Sequence, residues 1–364
     1  MTRIPCRADL DDAALATLAG DIRRWANDLG FQQTGISGTD LGEHPAHLQR
    51  WLAAGHQAGM DWLGEPKRLD PVALKAGTRR IISVRMDYLP ADPRIPQVLA
   101  DPARAYLARY ALGRDYHKII RPRLQRLADR IASAIGPFGY RAYVDSAPIM
   151  EKAIASQAGL GWMGKHTVII NRQAGSWFFL GELFTDLPLP VDAPVSNHCG
   201  SCQACIDICP TQAIVAPFVL DAGKCISYLT IEYRGVIAEP LRVAMGNRVF
   251  GCDDCQLVCP WNRYARPSLE ADLAPRHDLD GPDLLELWAW DEATWLEKTA
   301  GMALRRLDYP TWLRNLSIAL GNAPARPDRL RALLERRDAL IAAGTLTDVL
   351  AEHLAWAIAR QGGD

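Results

Sequence analysis

The chain has 364 residues, 49% of them hydrophobic, with 41 Lys+Arg against 42 Asp+Glu. A chain of that length implies about two or three domains with ample cores, which excludes wholesale disorder, and its near-neutral charge excludes a globally basic nucleic-acid binder. There is no apolar run of about 18 residues, so no membrane span is expected, and the Met1-Thr-Arg-Ile-Pro-Cys6 start lacks the apolar core of a secretory signal, so a cytoplasmic protein is expected.

In chain order, Leu15, Leu18, Ile22, Trp25 and Leu29 alternate in steps of three and four, the apolar stripe of an amphipathic helix closed by Gly30. Phe31–Ile36 predicts a short strand, His47–Leu52 a second helix, and Arg80–Tyr88 a strand stopped by Leu89-Pro90. Leu124, Leu127, Ile131 and Ile135 repeat the helical stripe before Gly136-Pro137. Tyr140–Val144 predicts a strand and Ala153–Ala158 a helix, followed by two strands, Thr167–Ile170 and Ser176–Leu180, joined as a hairpin through Asn171–Gly175. Pro188, Pro190 and Pro194 mark a linker. From Leu284 onward only helical stripes recur, around Trp288, Leu316, Leu333 and Leu354, in the manner of a HEAT-like repeat. The expected architecture is α+β, with an α/β domain over 1–190, a cysteine-rich domain over 191–268 and an all-α region over 280–364. Residues 303–338 hold eight arginines against four acids, a basic stretch suited to phosphates or simply a solvated helical face.

Eight of the nine cysteines fall between 199 and 259. In a chain without export signals that clustering points to metal rather than disulfides. Cys199-x2-Cys202-x2-Cys205-x3-Cys209-Pro is a ferredoxin-type run whose fourth thiolate serves the other cluster. Applying the same crossover to Cys252-x2-Cys255-x3-Cys259-Pro gives two sets: Cys199, Cys202, Cys205 and Cys259; then Cys209, Cys252, Cys255 and, to complete four, Cys225. Zinc ribbons instead use separated C-x2-C knuckles. Two [4Fe–4S] clusters are therefore expected, forming an electron relay that must feed some other centre. Cys6 is expected to be a free thiol without a role.

No dinucleotide or P-loop fingerprint occurs. The glycines of Gly159-Leu-Gly-Trp-Met-Gly164 are expected to let backbone approach something bulky. Asp115-Tyr116-His117 opens like the corrinoid D-x-H-x-x-G motif, but Ile120 stands in place of the glycine, so His117 is read as a hydrogen-bonded structural residue. Asp145 follows a strand and precedes a helix, a position for a general acid or, favoured on the residues alone, a helix cap.

Several runs together resemble the epoxyqueuosine reductase family across essentially the whole chain: Tyr110-Ala-Leu-Gly113-Arg114-Asp115-Tyr116-His117, Val144-Asp145-Ser146-Ala147-Pro148-Ile149-Met150-Glu151-Lys152, the loop from Gly159 to Lys165, Gly175-Ser-Trp177, and Cys225-Ile-Ser227 through Glu232-Tyr-Arg-Gly235. The resemblance implies a cobalamin- and iron–sulfur-dependent enzyme that reduces epoxyqueuosine to queuosine, losing water, at the wobble position of tRNAs with GUN anticodons. It implies a monomer, a low-potential electron donor, Asp145 as proton donor, and cobalamin contacts from Arg68, Lys165, Ile169, Leu180, Ser227 and Asp253. A carboxylic acid serving near neutral pH must be held protonated, which burial against an apolar macrocycle favours. Tyr233 and Arg234 would face the tRNA, with Arg314 (followed by Asn315 in the family's Arg-Asn pattern) and Arg336 on its phosphates. The competing reading is a corrinoid iron–sulfur reductase of a small molecule, akin to dehalogenases, which leaves the arginine-rich tail without a purpose.

Overall fold

The computed structural model describes residues 10–91 and 93–363; Cys6 lies outside the described residues. Ten strands run through them: β1 (Gln33–Ser37), β2 (Arg80–Asp87), β3 (Tyr106–Leu107), β4 (Tyr140–Tyr143), β5 (Trp162–Met163), β6 (Ile169–Ile170), β7 (Phe178–Thr185), β8 (Ile214–Ala216), β9 (Val219–Leu220) and β10 (Arg248–Phe250).

Four of them form one antiparallel sheet in the order β1-β2-β7-β4. The central strands β2 and β7 are buried almost throughout, which explains their near-continuous apolar sequences. On one face pack the helices Asp12–Asp28 and His117–Ile135, whose predicted stripes (Leu18, Ile22, Leu124, Ile131) meet Ile82, Val84 and Leu183. The first helix is capped by Asp11, whose side chain accepts from the Ala14 amide at 2.8 Å. The helix Glu151–Gln157 covers the other face. Cross-strand register places Gly35, Ser83, Glu182 and Tyr143 in one row on that second face.

The expected hairpin between 167–170 and 176–180 does not form. β6 pairs instead with β5, Asn171 and Gly175 make a single bridge, and β7 crosses away to an eight-residue ladder with β2. The longer ladder, buried on both faces, outweighs a local turn. The glycine-rich loop also packs differently from the expectation. A side chain at Gly159 or Gly161 would meet the carbonyls of Ala193 and Ile170, so these glycines admit the chain's own backbone.

Beyond the linker, a β8–β9 hairpin and the short helices Ala204–Asp207 and Asp254–Leu257 carry the cysteine runs. β10 pairs in parallel with β3, tying this segment to the N-terminal half. The tail is helical as predicted: Leu284–Ala289, Glu292–Lys298, Tyr309–Asn322, Pro327–Ala342 and Asp348–Gly362. Asp283, Asp291, Asp308 and Thr347 cap four of these helices. The Tyr309–Asn322 helix is enclosed on all sides. A single hydrophobic core joins Leu107 and Leu112 of the first segment, Ile226 and Phe250 of the second, and Trp312, Leu316 and Leu354 of the tail. Among the described residues no helix is long and apolar enough to cross a membrane.

Candidate functional site

Cys199, Cys202, Cys205 and Cys259 face one cavity of about 220 Å³ beside His166 and Trp261. Burial, then the neighbouring thiols Cys259, Cys199 and Cys202, pushes the Cys205 thiol up to about 11. Burial likewise raises Cys225, reinforced by Cys209, and Cys255, reinforced by Cys225, Asp253, Cys205 and Cys209. Cys252 is raised by burial and by Asp254. Four of the thiols thus share one cavity, and Cys255 lies within electrostatic reach of Cys225, Cys209 and Cys205, while Cys252 Sγ donates to Asp254 Oδ2 at 2.9 Å. Crowded, desolvated thiols of this kind become stable thiolates once metal neutralises them.

Asp145 sits just beyond β4 with a left-handed φ of +44° and an exposed side chain. It is not a helix cap, because the following helix starts at Glu151 with Met150 in the cap position and no side-chain bond there. Tyr116 Oη donates to Asp145 Oδ2 at 2.5 Å, and His117 Nε2 lies 3.6 Å from the same oxygen. A cavity of about 120 Å³ opens between Asp145, Tyr116, Glu151, Ile169, Phe178 and Leu180. Burial first, then the charge of Asp145, raises the Glu151 carboxyl to about 7. Behind it, burial holds Glu182 well above the carboxylate range, with Glu151 and Asp145 adding to the effect. Both Glu182 oxygens are buried without a hydrogen-bond partner. Sequence reasoning missed Glu151 and Glu182, although Glu182 stood among Phe178, Leu180 and Phe184, on the core-facing period of a strand.

The residues expected at a corrinoid divide three ways. Arg68 belongs with Ile169 and Leu180 at the Asp145 side: its Nη1 donates to the Ile149 carbonyl at 2.9 Å, and its Nε is buried without a partner. Ser227 and Asp253 sit at the second cysteine set. Ser227 lies beside Cys225 and favours its thiolate form. Asp253 is 2% exposed and accepts from Tyr106 Oη at 2.7 Å and the Arg109 amide at 2.8 Å, so its carboxylate braces the frame around β3 and β10. Lys165 turns the other way, donating from Nζ to the carbonyls of Gly200 and Cys202, both at 2.8 Å. Those carbonyls lie on the first cysteine loop, so Lys165 clamps that loop.

Tyr233 and Arg234 line an open cleft of about 630 Å³ with Gly59, Tyr228 and Glu232. Glu232 forms a two-point ion pair with the exposed Arg306, at 2.9 and 3.0 Å. Arg314, expected on phosphate, is 1% exposed. Its guanidinium donates to the carbonyls of Leu229, Tyr233 and Gly235 and to Asn315 Oδ1, which fixes the segment carrying Tyr233 and Arg234. Arg336 is also corrected: it is half-buried, donates to the Trp288 carbonyl at 2.6 Å and to Tyr309 Oη at 3.1 Å, and stacks over the Trp288 ring. Arg314 is internal because its helix has no solvent face, and Arg336 ties its partly exposed helix to the Trp288 turn.

Residues 198–262 match the sequence profile of the 4Fe-4S double cluster binding domain, and 68–146 that of epoxyqueuosine reductase QueG. An epoxyqueuosine reductase of Pseudomonas aeruginosa is 57% identical over 100% of this chain and 99% of its own. The chain belongs to the epoxyqueuosine reductase family. The Escherichia coli epoxyqueuosine reductase is 51% identical over 95% of this chain and 90% of its own. A crystal structure of an epoxyqueuosine reductase with an epoxyqueuosine-modified tRNA-Tyr stem loop superposes with a TM-score of 0.84 at 29% identity, covering 96% and 91% of the two chains. A Bacillus subtilis epoxyqueuosine reductase, solved with its catalytic aspartate loop swung out of the active site, also gives 0.84 at 28% identity, over 96% and 91%. The protein is accordingly an oxidoreductase of mixed α and β structure with a double iron–sulfur cluster domain.

Proposed function

We propose that this epoxyqueuosine reductase acts on tRNA in the cytoplasm, removing the epoxide oxygen of epoxyqueuosine as water, with Asp145 as proton donor and cobalamin beside it. The observation that carries the reading is the Asp145 carboxyl, held by Tyr116 at the rim of a cavity, in a chain that lines a second cavity with four thiols. The functional division is into a corrinoid-binding region over 1–190, a cluster region over 191–268 and a helical tRNA-facing region over 280–364.

Cys199, Cys202, Cys205 and Cys259 would hold one cubane, and Cys209, Cys225, Cys252 and Cys255 the other, each carrying single electrons. The donor chemistry near Asp145 suits a corrinoid. Ile169, Leu180 and Phe178 give an apolar wall, while the unpaired Arg68 Nε offers a donor for an amide rim. Ser227 and Asp253 would stand on the cluster side. When bound, cobalamin supplies a low-potential metal centre able to deliver an electron pair. The chain's own part is to manage protons and position. Tyr116 holds Asp145 Oδ2 and so orients the carboxyl, whose proton goes to the departing oxygen, because an unprotonated alkoxide is a poor leaving group. Tyr233 lines an open cleft in which an unstacked wobble base can pack, and the exposed Arg234, with Arg305 and Arg331 exposed on the tail, would meet phosphates. The relative solved with a modified stem loop supports this substrate, and the one with its aspartate loop swung out supports a mobile acid on an exposed turn.

The test is incubation with epoxyqueuosine-bearing tRNA, cobalamin and a low-potential reductant, read by nucleoside mass spectrometry. Queuosine should form, and Asp145→Ala should retain iron and cobalamin while losing turnover. Full turnover by that variant would remove Asp145 from the chemistry.

A further inference from the structure

Deoxygenating an epoxide consumes two electrons and two protons: both C–O bonds break, a C=C bond forms, and the oxygen leaves as water. Asp145 holds one proton at a time, so it must be recharged within each turnover. The neighbouring side chains provide a route. Asp115 Oδ1 lies 2.8 Å from His117 Nδ1 and also accepts the His117 backbone N–H at 3.0 Å. The opposite nitrogen, His117 Nε2, is buried without a hydrogen-bond partner and points at Asp145 Oδ2 from 3.6 Å. That gap exceeds a hydrogen bond and closes with a small movement of the Asp145 turn. The imidazole plane is fixed by stacking on Tyr116 at 4.2 Å, and Tyr116 in turn stacks on Phe179 at 4.1 Å. The His117 side chain is 33% exposed, so water reaches the ring edge, and it reaches the covered Nε2 when the exposed Asp145 turn moves aside.

We propose that His117 is the proton relay that recharges Asp145, and that Asp115 is its positioning residue. This rests on Asp145 being the acid. In the transfer, the His117 Nε2–H bond breaks as an Asp145 O–H bond forms, and the neutral imidazole regains a proton from water. The two electrons come from the low-potential reductant that the reduction requires. The groups facing His117 favour its protonated form. Burial works against the charge, but the Asp115 hydrogen bond and the charges of Asp115, Asp145 and Glu151 outweigh it, so its pKa is raised above the usual imidazole value. Lys118, next along the helix, helps keep Asp115 ionised.

The experiment compares wild type, His117→Gln, Asp115→Asn and Asp145→Asn, each loaded with iron and cobalamin. His117→Gln should lose about 10²-fold in turnover, as for a missing acid–base group, with added imidazole restoring much of it. Asp115→Asn should move the alkaline limb of the pH profile to lower pH, because the imidazolium is then lost earlier. A second readout needs no turnover: carbethoxylation of His117 by diethyl pyrocarbonate, followed by peptide mass spectrometry, should proceed at lower pH in Asp115→Asn and Asp145→Asn than in wild type. An unchanged rate and pH profile in His117→Gln, loss without imidazole rescue, or pH-independent carbethoxylation differences would overturn the relay. If Asp145→Asn is inactive while His117→Gln is wild type, only the relay falls; if Asp145→Asn is fully active, the acid assignment falls with it.

Discussion

Arg314→Ala removes the donors that hold the Leu229, Tyr233 and Gly235 carbonyls at 2.6, 2.7 and 3.2 Å, and that serve Asn315 Oδ1 at 2.9 Å. Hydrogen bonds to a charged group contribute about 1.5–3 kcal/mol each, so the four together represent at least about 6 kcal/mol. Against that stands the cost of keeping the guanidinium inside: burial first, then Arg234, depresses it from 12.5 to about 10, which corresponds to about 3 kcal/mol. Water entering the vacated space recovers little at Leu229, which is buried. The net loss should be about 3–5 kcal/mol, the range found when a buried charged network is broken. Urea unfolding followed by circular dichroism should show a midpoint lower by about 1 M, taking a slope of about 3 kcal/mol per molar for a chain of this size. Arg314→Lys should rescue only part, since one ammonium cannot span three carbonyls. A midpoint within about 0.2 M of wild type would refute the assignment of Arg314 as an internal clamp and return it to the surface as a phosphate contact.

Glu182→Gln should gain stability relative to wild type as pH rises. The folded protein holds this carboxyl's pKa above its unfolded value of about 4.3, so its favourable contribution is complete below that value and drains away at higher pH, by up to about 1.4 kcal/mol per pH unit. Melting temperatures of the pair between about pH 5 and pH 8 should diverge, and a constant difference would contradict a buried, unpartnered acid. Cys225→Ser should lower iron from about eight to about four per chain after anaerobic reconstitution; unaltered iron would exclude Cys225 as a ligand. Lys165→Met should make the first set's iron labile to air and chelators while leaving cobalamin binding intact, and the reverse pattern would put Lys165 at the corrinoid.

The helices were legible because a stripe such as Leu15, Leu18 and Ile22 can only be buried along one side of a helix. The double-cluster domain was legible because the x2 and x3 cysteine spacing is a ferredoxin-type run. The two-residue strands β3, β5, β6 and β9 carry no periodicity and exist only through their partners. Arginine counts misled at Arg314 and Arg336, yet a signal was available. Trp312, Leu313, Leu316, Ile318 and Leu320 cover every side of their helix, leaving Arg314, Asn315 and Ser317 no solvent face. The path from Asp115 through His117 to Asp145 was beyond sequence, because it joins a helix start to a turn after a separate strand.

The parallel pairing of β3 with β10 joins segments far apart in sequence, and the Tyr309–Asn322 helix locks onto β10 through Asn315 and the Val249 carbonyl at 2.9 Å. Such long-range closure is slow and late in folding. The cradle for the second thiol set is therefore completed only after the ribosome has released most of the tail. Metal loading becomes a post-synthetic event, and until then the nascent cysteines travel reduced, exposed and open to oxidation.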